Sequence, residues 1–207
     1  MKGKLFLAGG GGKKDSTEID KLFSREVGKI LYIPIAINTD KYSFDSCLTF
    51  LKSCLTDVEI TMVTDLSKLE HMKLEEFDGI YIGGGDTVKL LRDLKSISFF
   101  HKLKDFYING GHIYGGSAGA IILGKSIVSA EKGAADFSSD IVGAKLIDAI
   151  IWPHYSQEDD EKILALGQQV FAIPDDGGIV IADEIELLGD SHIFDENSYF
   201  SKDADFY

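Results

Sequence analysis

The sequence predicts an α/β fold in three layers, a mostly parallel central sheet with helices on both faces. Three observations carry that prediction. Short β-branched or apolar runs alternate with amphipathic segments over short links, the pattern of a wound parallel sheet. Glycine turns close three of the predicted strands, at 9–12, 83–85 and 115–119, and ligands of open α/β sheets bind at that strand edge. Finally, 207 residues with three prolines and no long polar tract suit one continuous core, so a single domain over 1–207 is expected.

The elements follow in order. Residues 5–8 form a first strand, and 15–27 a helix with Asp15 or Ser16 as N-cap and an apolar face at Ile19, Leu22 and Phe23. The run 29–37 is apolar enough for a strand buried on both faces. A helix over 42–55 carries Cys47 and Cys54 on one face but two turns apart, too far for a bridge. Strands are predicted at 58–63 and 79–82, then helices to about 94 and over 99–107. A strand from His112 runs into a helix near Ala118. The last third changes character: 150–153, 178–182, 185–188 and 192–194 read as short strands, some antiparallel at one sheet edge. Between them 158–170 reads as a helix whose acidic first turn suits the helix dipole.

Charge narrows the function classes. The formal net charge is −13 with only two arginines, Arg25 and Arg92, which argues against a nucleic-acid partner. The N-terminal apolar run is too short for a signal peptide and no stretch reaches a membrane span, so a cytoplasmic protein with no membrane partner is expected. No His/Cys/Asp cluster has ligand spacing, and no glycine turn ends in Gly-Lys-Ser/Thr, so neither metal nor cofactor is expected.

The most informative stretch is Gly115-Gly116-Ser117-Ala118-Gly119, between an apolar strand and a helix. Gly-x-Ser-x-Gly in that setting is the signature of a nucleophile elbow, which forces the serine hydroxyl outward and aims backbone N–H groups at a developing oxyanion. Glycine-rich turns of this kind also occur for packing alone, so the serine needs partners. Among five histidines, His71 and His101 sit in charged, solvated segments and His112 at the far end of the elbow strand. His154 follows the apolar run 150–153 and emerges at a strand end; His192 lies in a turn near the C-terminus. Carboxylate candidates are Asp175 and Asp176 in the turn after 171–173, with Asp136 a weaker alternative. Two triads therefore compete: Ser117–His154–Asp175, and Ser117–Asp175–His192, which has the chain order of an α/β-hydrolase.

These residues resemble a known family, the dipeptidase E and cyanophycinase group of serine peptidases. Ile82-Gly83-Gly84-Gly85-Asp86-Thr87 is similar to its apolar-Gly-Gly-Gly-Asn-Thr turn, and Gly115–Ala120 matches its nucleophile motif. Trp152-Pro153-His154-Tyr155 resembles its Pro-His-aromatic stretch, and Ile173-Pro174-Asp175 its Pro-Glu turn. The resemblance implies a class I glutamine amidotransferase-like fold with Ser117 as nucleophile, His154 as base and Asp175 as orienting acid. It also implies an oxyanion hole from the backbone N–H groups of Gly85 and Ala118, and favours the His154 triad. Gly84, Asp86 and Asp176 are candidate substrate contacts. Two departures stand out. Asp86 replaces Asn, which sets a carboxylate near the oxyanion unless it turns away. The segment after His154 is acidic and lacks the arginine that an N-terminal aspartate would require, leaving Lys13, Lys125 or Lys132 as substitutes. The expectation is a cytoplasmic serine peptidase of small peptides, monomeric or homodimeric, acting through an acyl-enzyme on Ser117. The alternatives are an esterase using Ser117–Asp175–His192, or a non-catalytic protein whose acidic pocket holds a small cationic ligand.

Overall fold

The computed structural model describes residues 1–11, 17–130 and 141–195. Its main sheet has seven strands in the order β3-β2-β4-β5-β1-β8-β9. These are β1 Leu5–Ala8, β2 Lys29–Ile33, β3 Glu59–Met62, β4 Gly79–Ile82, β5 His112–Gly116, β8 Gly178–Ile181 and β9 Ile185–Leu188. The five strands from β3 to β1 run parallel, while β8 and β9 are antiparallel at the β1 side. The remaining strands, β6 Ile150–Pro153, β7 Val170–Ile173 and β10 His192–Phe194, form a separate three-stranded sheet in which β6 and β7 are parallel. The antiparallel strands that the sequence predicts at one sheet edge are β8 and β9; the predicted strands at 150–153 and 192–194 instead join β7 in a second sheet.

Successive side chains of a strand point to opposite faces, and both faces of the main sheet are apolar. Leu5, Leu7, Leu31, Ile33, Ile80, Ile82 and Ile113 share a core with helices α4 Thr87–Ser96, α5 Phe99–Ile108 and α6 Ala118–Leu123. Phe6, Ile30, Tyr32 and Tyr114 face α1 Glu18–Glu26 and α2 Phe44–Cys54 through Ile19, Phe23 and Leu51. The three layers follow directly from this two-sided burial. The small sheet is also two-sided: Ile151, Phe171 and Ile173 join the first core, while Ile150, Trp152, Val170 and Ala172 cover Ile163 of α7 Asp160–Leu164. Among the described residues no helix is long and apolar enough to cross a membrane.

Several boundaries differ from expectation. The strand expected to reach residue 37 stops at Ile33, because Pro34 has no N–H for the ladder and 34–37 turns, with Ile37 N–H donating to Pro34 O at 3.2 Å. The helix expected over 158–170 is a 3-10 turn at Gln157–Asp159 followed by the five residues of α7; the chain leaves it through Gly167 at φ +59°, and Val170 already belongs to β7. Helix α3 Leu66–His71, capped by Asp65, is too short for its periodicity to show in the sequence. Helix α1 starts at Glu18, capped by Thr17; Asp15 and Ser16 lie outside the described residues. Both cysteines are free thiols.

Candidate active site

The parallel strands β1, β4 and β5 end at one edge, each in glycines. At the end of β5 the chain turns abruptly, with Ser117 at φ 48°, ψ −111°, before α6 begins at Ala118. A non-glycine residue there costs about 1–3 kcal/mol and persists only where its surroundings impose it. They do: Ser117 N–H donates to Ala8 O at 3.0 Å, and Ser117 O accepts from Ala120 N–H and Ile121 N–H at 2.9 and 3.0 Å. Helix α6 lies so close to β4 that a Cβ on Gly119 would stand 2.1 Å from Ile82 O. The elbow glycine is therefore a packing requirement.

The hydroxyl so presented meets His154: Ser117 Oγ and His154 Nε2 are 2.7 Å apart. On the other side of the ring, His154 Nδ1 lies 2.6 Å from Asp175 Oδ1. The imidazole and the carboxylate come from the ends of β6 and β7, which are paired strands, so the small sheet delivers base and acid together. Their backbone is seated on the glycine turn after β1. His154 N–H donates to Gly9 O and Asp176 N–H to Gly10 O, both at 3.1 Å, while Tyr155 N–H donates to Ile173 O. The α-carbon of Gly10 lies against the imidazole face, where a Cβ would sit 2.2 Å from His154 Cε1. His154 and Asp176 themselves have positive φ, 53° and 61°.

The remaining sequence candidates sort themselves. His192 lies on β10, where its ring packs edge-on against Tyr155 at 5.6 Å; Asp175 bonds His154, so the serine–acid–His192 arrangement is not the one assembled. His71 and His101 are exposed. His112 begins β5, at the opposite strand edge, and its Nδ1 accepts Lys4 N–H at 3.1 Å. Asp86 turns away from the serine: its Oδ1 accepts Lys89 N–H at 2.8 Å as the N-cap of α4, and its own N–H donates to Ala36 O. Gly84 stays close, with a Cβ position 3.3 Å from Ser117 Cβ. Lys125 Nζ faces Asp148 at 3.5 Å. Lys13, Lys132 and Asp136 lie outside the described residues.

One group escaped the sequence reading. Asp20 is 5% exposed, and its carboxylate accepts from Tyr114 Oη at 2.7 Å and from the N–H and Oγ1 of Thr17 at 2.9 and 2.7 Å. The Thr17-x-x-Asp20 spacing, a capping box, is the signal that could have revealed half of it; the tyrosine partner, 94 residues away, leaves none.

A strained serine at a strand-to-helix turn, joined through an imidazole to a carboxylate above a wound parallel sheet, is the constellation of triad-bearing α/β proteins. The chain belongs to peptidase family S51, whose family model matches residues 5–193. It is 27% identical to peptidase E from Actinobacillus pleuropneumoniae serotype 5b over 128 residues, 61% of this chain and 54% of that one. A local match of 54 residues, 44% identical, links it to the pyridoxal 5'-phosphate synthase subunit PdxT of Fervidobacterium nodosum, over 26% of this chain and 28% of that protein. The chain thus spans about half the length of the peptidase E relative and less of the other. Among solved structures, a candidate peptidase E protein from Listeria monocytogenes EGD-e superposes with a TM-score of 0.70 at 24% identity, covering 90% of this chain and 98% of that one. A peptidase from an acI-B1 Actinobacterium gives 0.67 at 19%, covering 95% and 92%. At these identities the structural likeness speaks for the fold.

Proposed function

We propose that this chain is a serine peptidase hydrolysing small peptides through an acyl-enzyme on Ser117. One observation carries the reading: a strained elbow serine 2.7 Å from His154 Nε2, with Asp175 2.6 Å from the ring's other nitrogen. Asp175 holds the Nδ1 proton, which leaves the Nε2 lone pair facing the hydroxyl. His154 takes the serine proton as Oγ attacks the scissile carbonyl, then passes it to the leaving amine as the C–N bond breaks. Water, deprotonated by the same nitrogen, attacks the ester, and the proton returns to Ser117 as the acid product departs. The backbone N–H groups of Gly85 and Ala118 are assigned to the oxyanion; Ala118 opens α6, where an N–H has no partner within the helix. Asp86 supports that assignment, because its charge is spent on capping α4.

The test is covalent labelling with a fluorophosphonate, located by peptide mass spectrometry. Wild type labels at Ser117, His154→Ala loses labelling, and His192→Ala keeps it. A folded wild-type protein that stays unlabelled overturns the reading, as does labelling lost only on His192→Ala.

A further inference from the structure

His154 hands its proton to the leaving amine, so the leaving half of a substrate must come within hydrogen-bond reach of the imidazole. What lies beyond that ring therefore meets the residue after the scissile bond. The way there is open, because the His154 and Asp175 side chains are 45% and 60% exposed. A groove of about 660 Å³ begins at this rim, walled by Tyr155, the residue after His154, and by Pro174, the residue before Asp175. An extended dipeptide spans about 7 Å, enough to pass from the imidazole to the wall next to it.

The chemistry of the groove is one-sided. One wall is aromatic: the Tyr155 ring meets His192 edge-on at 5.6 Å and Phe194 at 6.0 Å. Two carboxylates, Asp160 and Asp190, join it, and no described residue lining the groove is a lysine or arginine. Asp160 is held by Tyr155, whose hydroxyl donates to its Oδ1 at 2.7 Å and leaves the second oxygen for another donor. Burial, aided by that carboxylate, pushes the Tyr155 hydroxyl up to about 12, so it remains a donor. Asp160 opens α7, where a carboxylate suits the helix dipole. Asp190 has no such reason, since it lies in the link between β9 and β10. Aromatic faces beside carboxylates select a cation over an anion. The wider field agrees: residues 156–195 hold eleven Asp or Glu and one Lys, which repels an acidic peptide from this side.

We propose that this groove is the leaving-group subsite of the peptidase and takes a basic side chain, lysine or arginine, on the residue after the scissile bond. The apolar stem of a lysine lies along the Tyr155 and Phe194 rings, and its ammonium reaches Asp160 and Asp190. The subsite rests on the reading of Ser117 as nucleophile, and it names the substrate class for that serine.

The experiment acetylates Ser117 with p-nitrophenyl acetate and lets amines compete with water for the acyl group. The amine attacks the ester carbon and His154 Nε2 takes its proton, which passes to Ser117 Oγ as the ester bond breaks. The acceptor thus occupies the place of a leaving amine, whatever acyl half the natural substrate has. Lysine amide, norleucine amide and glutamate α-amide are compared at equal concentration, and the α-N-acetyl products are counted by mass spectrometry with Ser117→Ala as the blank. Lysine amide is expected to yield about tenfold more product than norleucine amide, its uncharged counterpart, with glutamate amide the poorest. That ratio is expected to fall severalfold in Asp190→Asn and in Asp160→Asn, and to fall in wild type as salt is raised. Because the ratio is taken within one protein, a variant of lower overall activity still reports it. Equal yields from lysine and norleucine amides in wild type, hydrolysis with no amine accepted, or an unchanged ratio in both variants overturns the subsite while leaving the triad intact. A folded wild type that is not acylated at Ser117 overturns the triad reading and this proposal with it.

Discussion

Gly10→Ala separates the chemistry of the site from the stability of the fold. The added Cβ would lie 2.2 Å from His154 Cε1, 2.9 Å from Nδ1 and 3.0 Å from Nε2. Non-bonded carbons rest at about 3.5–4.0 Å, so the ring must retreat by more than about 1 Å. The Ser117–His154 contact of 2.7 Å then stretches beyond hydrogen-bond reach. Misplacement of that size costs about 10²-fold in rate. The fold suffers less. The obstacle is the end of an exposed side chain, which can swing aside, and what remains is alanine at φ +113°, a penalty of about 1–2 kcal/mol. For a chain of this size that lowers the melting temperature by about 2–8 °C. Fluorophosphonate labelling timed by intact mass, alongside a thermal melt, reads both quantities. A folded Gly10→Ala protein that labels at the wild-type rate would refute the seating of His154 on the glycine turn.

Three further predictions follow from the geometry. Asp175→Asn should reduce labelling by about 10⁴-fold, the loss expected when a triad aspartate becomes an amide that cannot hold the correct tautomer; its melting temperature should hold, since both partners are largely exposed. Asp86→Ala should cost about 1 kcal/mol as a lost N-cap yet label Ser117 normally; a large change in labelling would mean that the carboxylate works at the oxyanion and not at Lys89. Burial lowers the pKa of His112 below the usual histidine value, outweighing the Glu26 carboxylate nearby. The unfolded chain therefore binds a proton that the folded chain resists, so the contribution is complete above the ordinary histidine pKa and shrinks as pH falls below it. Melts between about pH 7.5 and 5.5 should show wild type losing more stability than His112→Asn; parallel curves would contradict this.

The main sheet was legible because most of its parallel strands are short apolar runs with a capped, amphipathic helix after them, as at Gly79–Ile82 and Thr87–Ser96. The second sheet was not. Ile150–Pro153 announces a buried strand, but an apolar run carries no record of its partner, and pairing with Val170–Ile173 depends on a crossover whose helix is only five residues long. At the site, the elbow and the turn carrying Asp175 and Asp176 were visible as glycine and proline punctuation. The choice between His154 and His192 was not settled by spacing, since both sit near strand ends and only the three-dimensional course of β6 brings one ring to Ser117. The orientation of Asp86 was within reach: an aspartate directly before a helix is a preferred cap, and that preference turns its charge from the serine.

The nucleophile belongs to the large sheet, whereas the base and acid belong to the small one. The hydrogen bond between Ser117 and His154 is thus a gauge of how the two sheets are docked. A chain whose sheets had slipped apart would keep its helices, its strands and even the His154–Asp175 pair, and would look nearly native to any measure of secondary structure. It would be chemically silent. In a denaturant series, serine reactivity should therefore vanish before the bulk of the ordered backbone does.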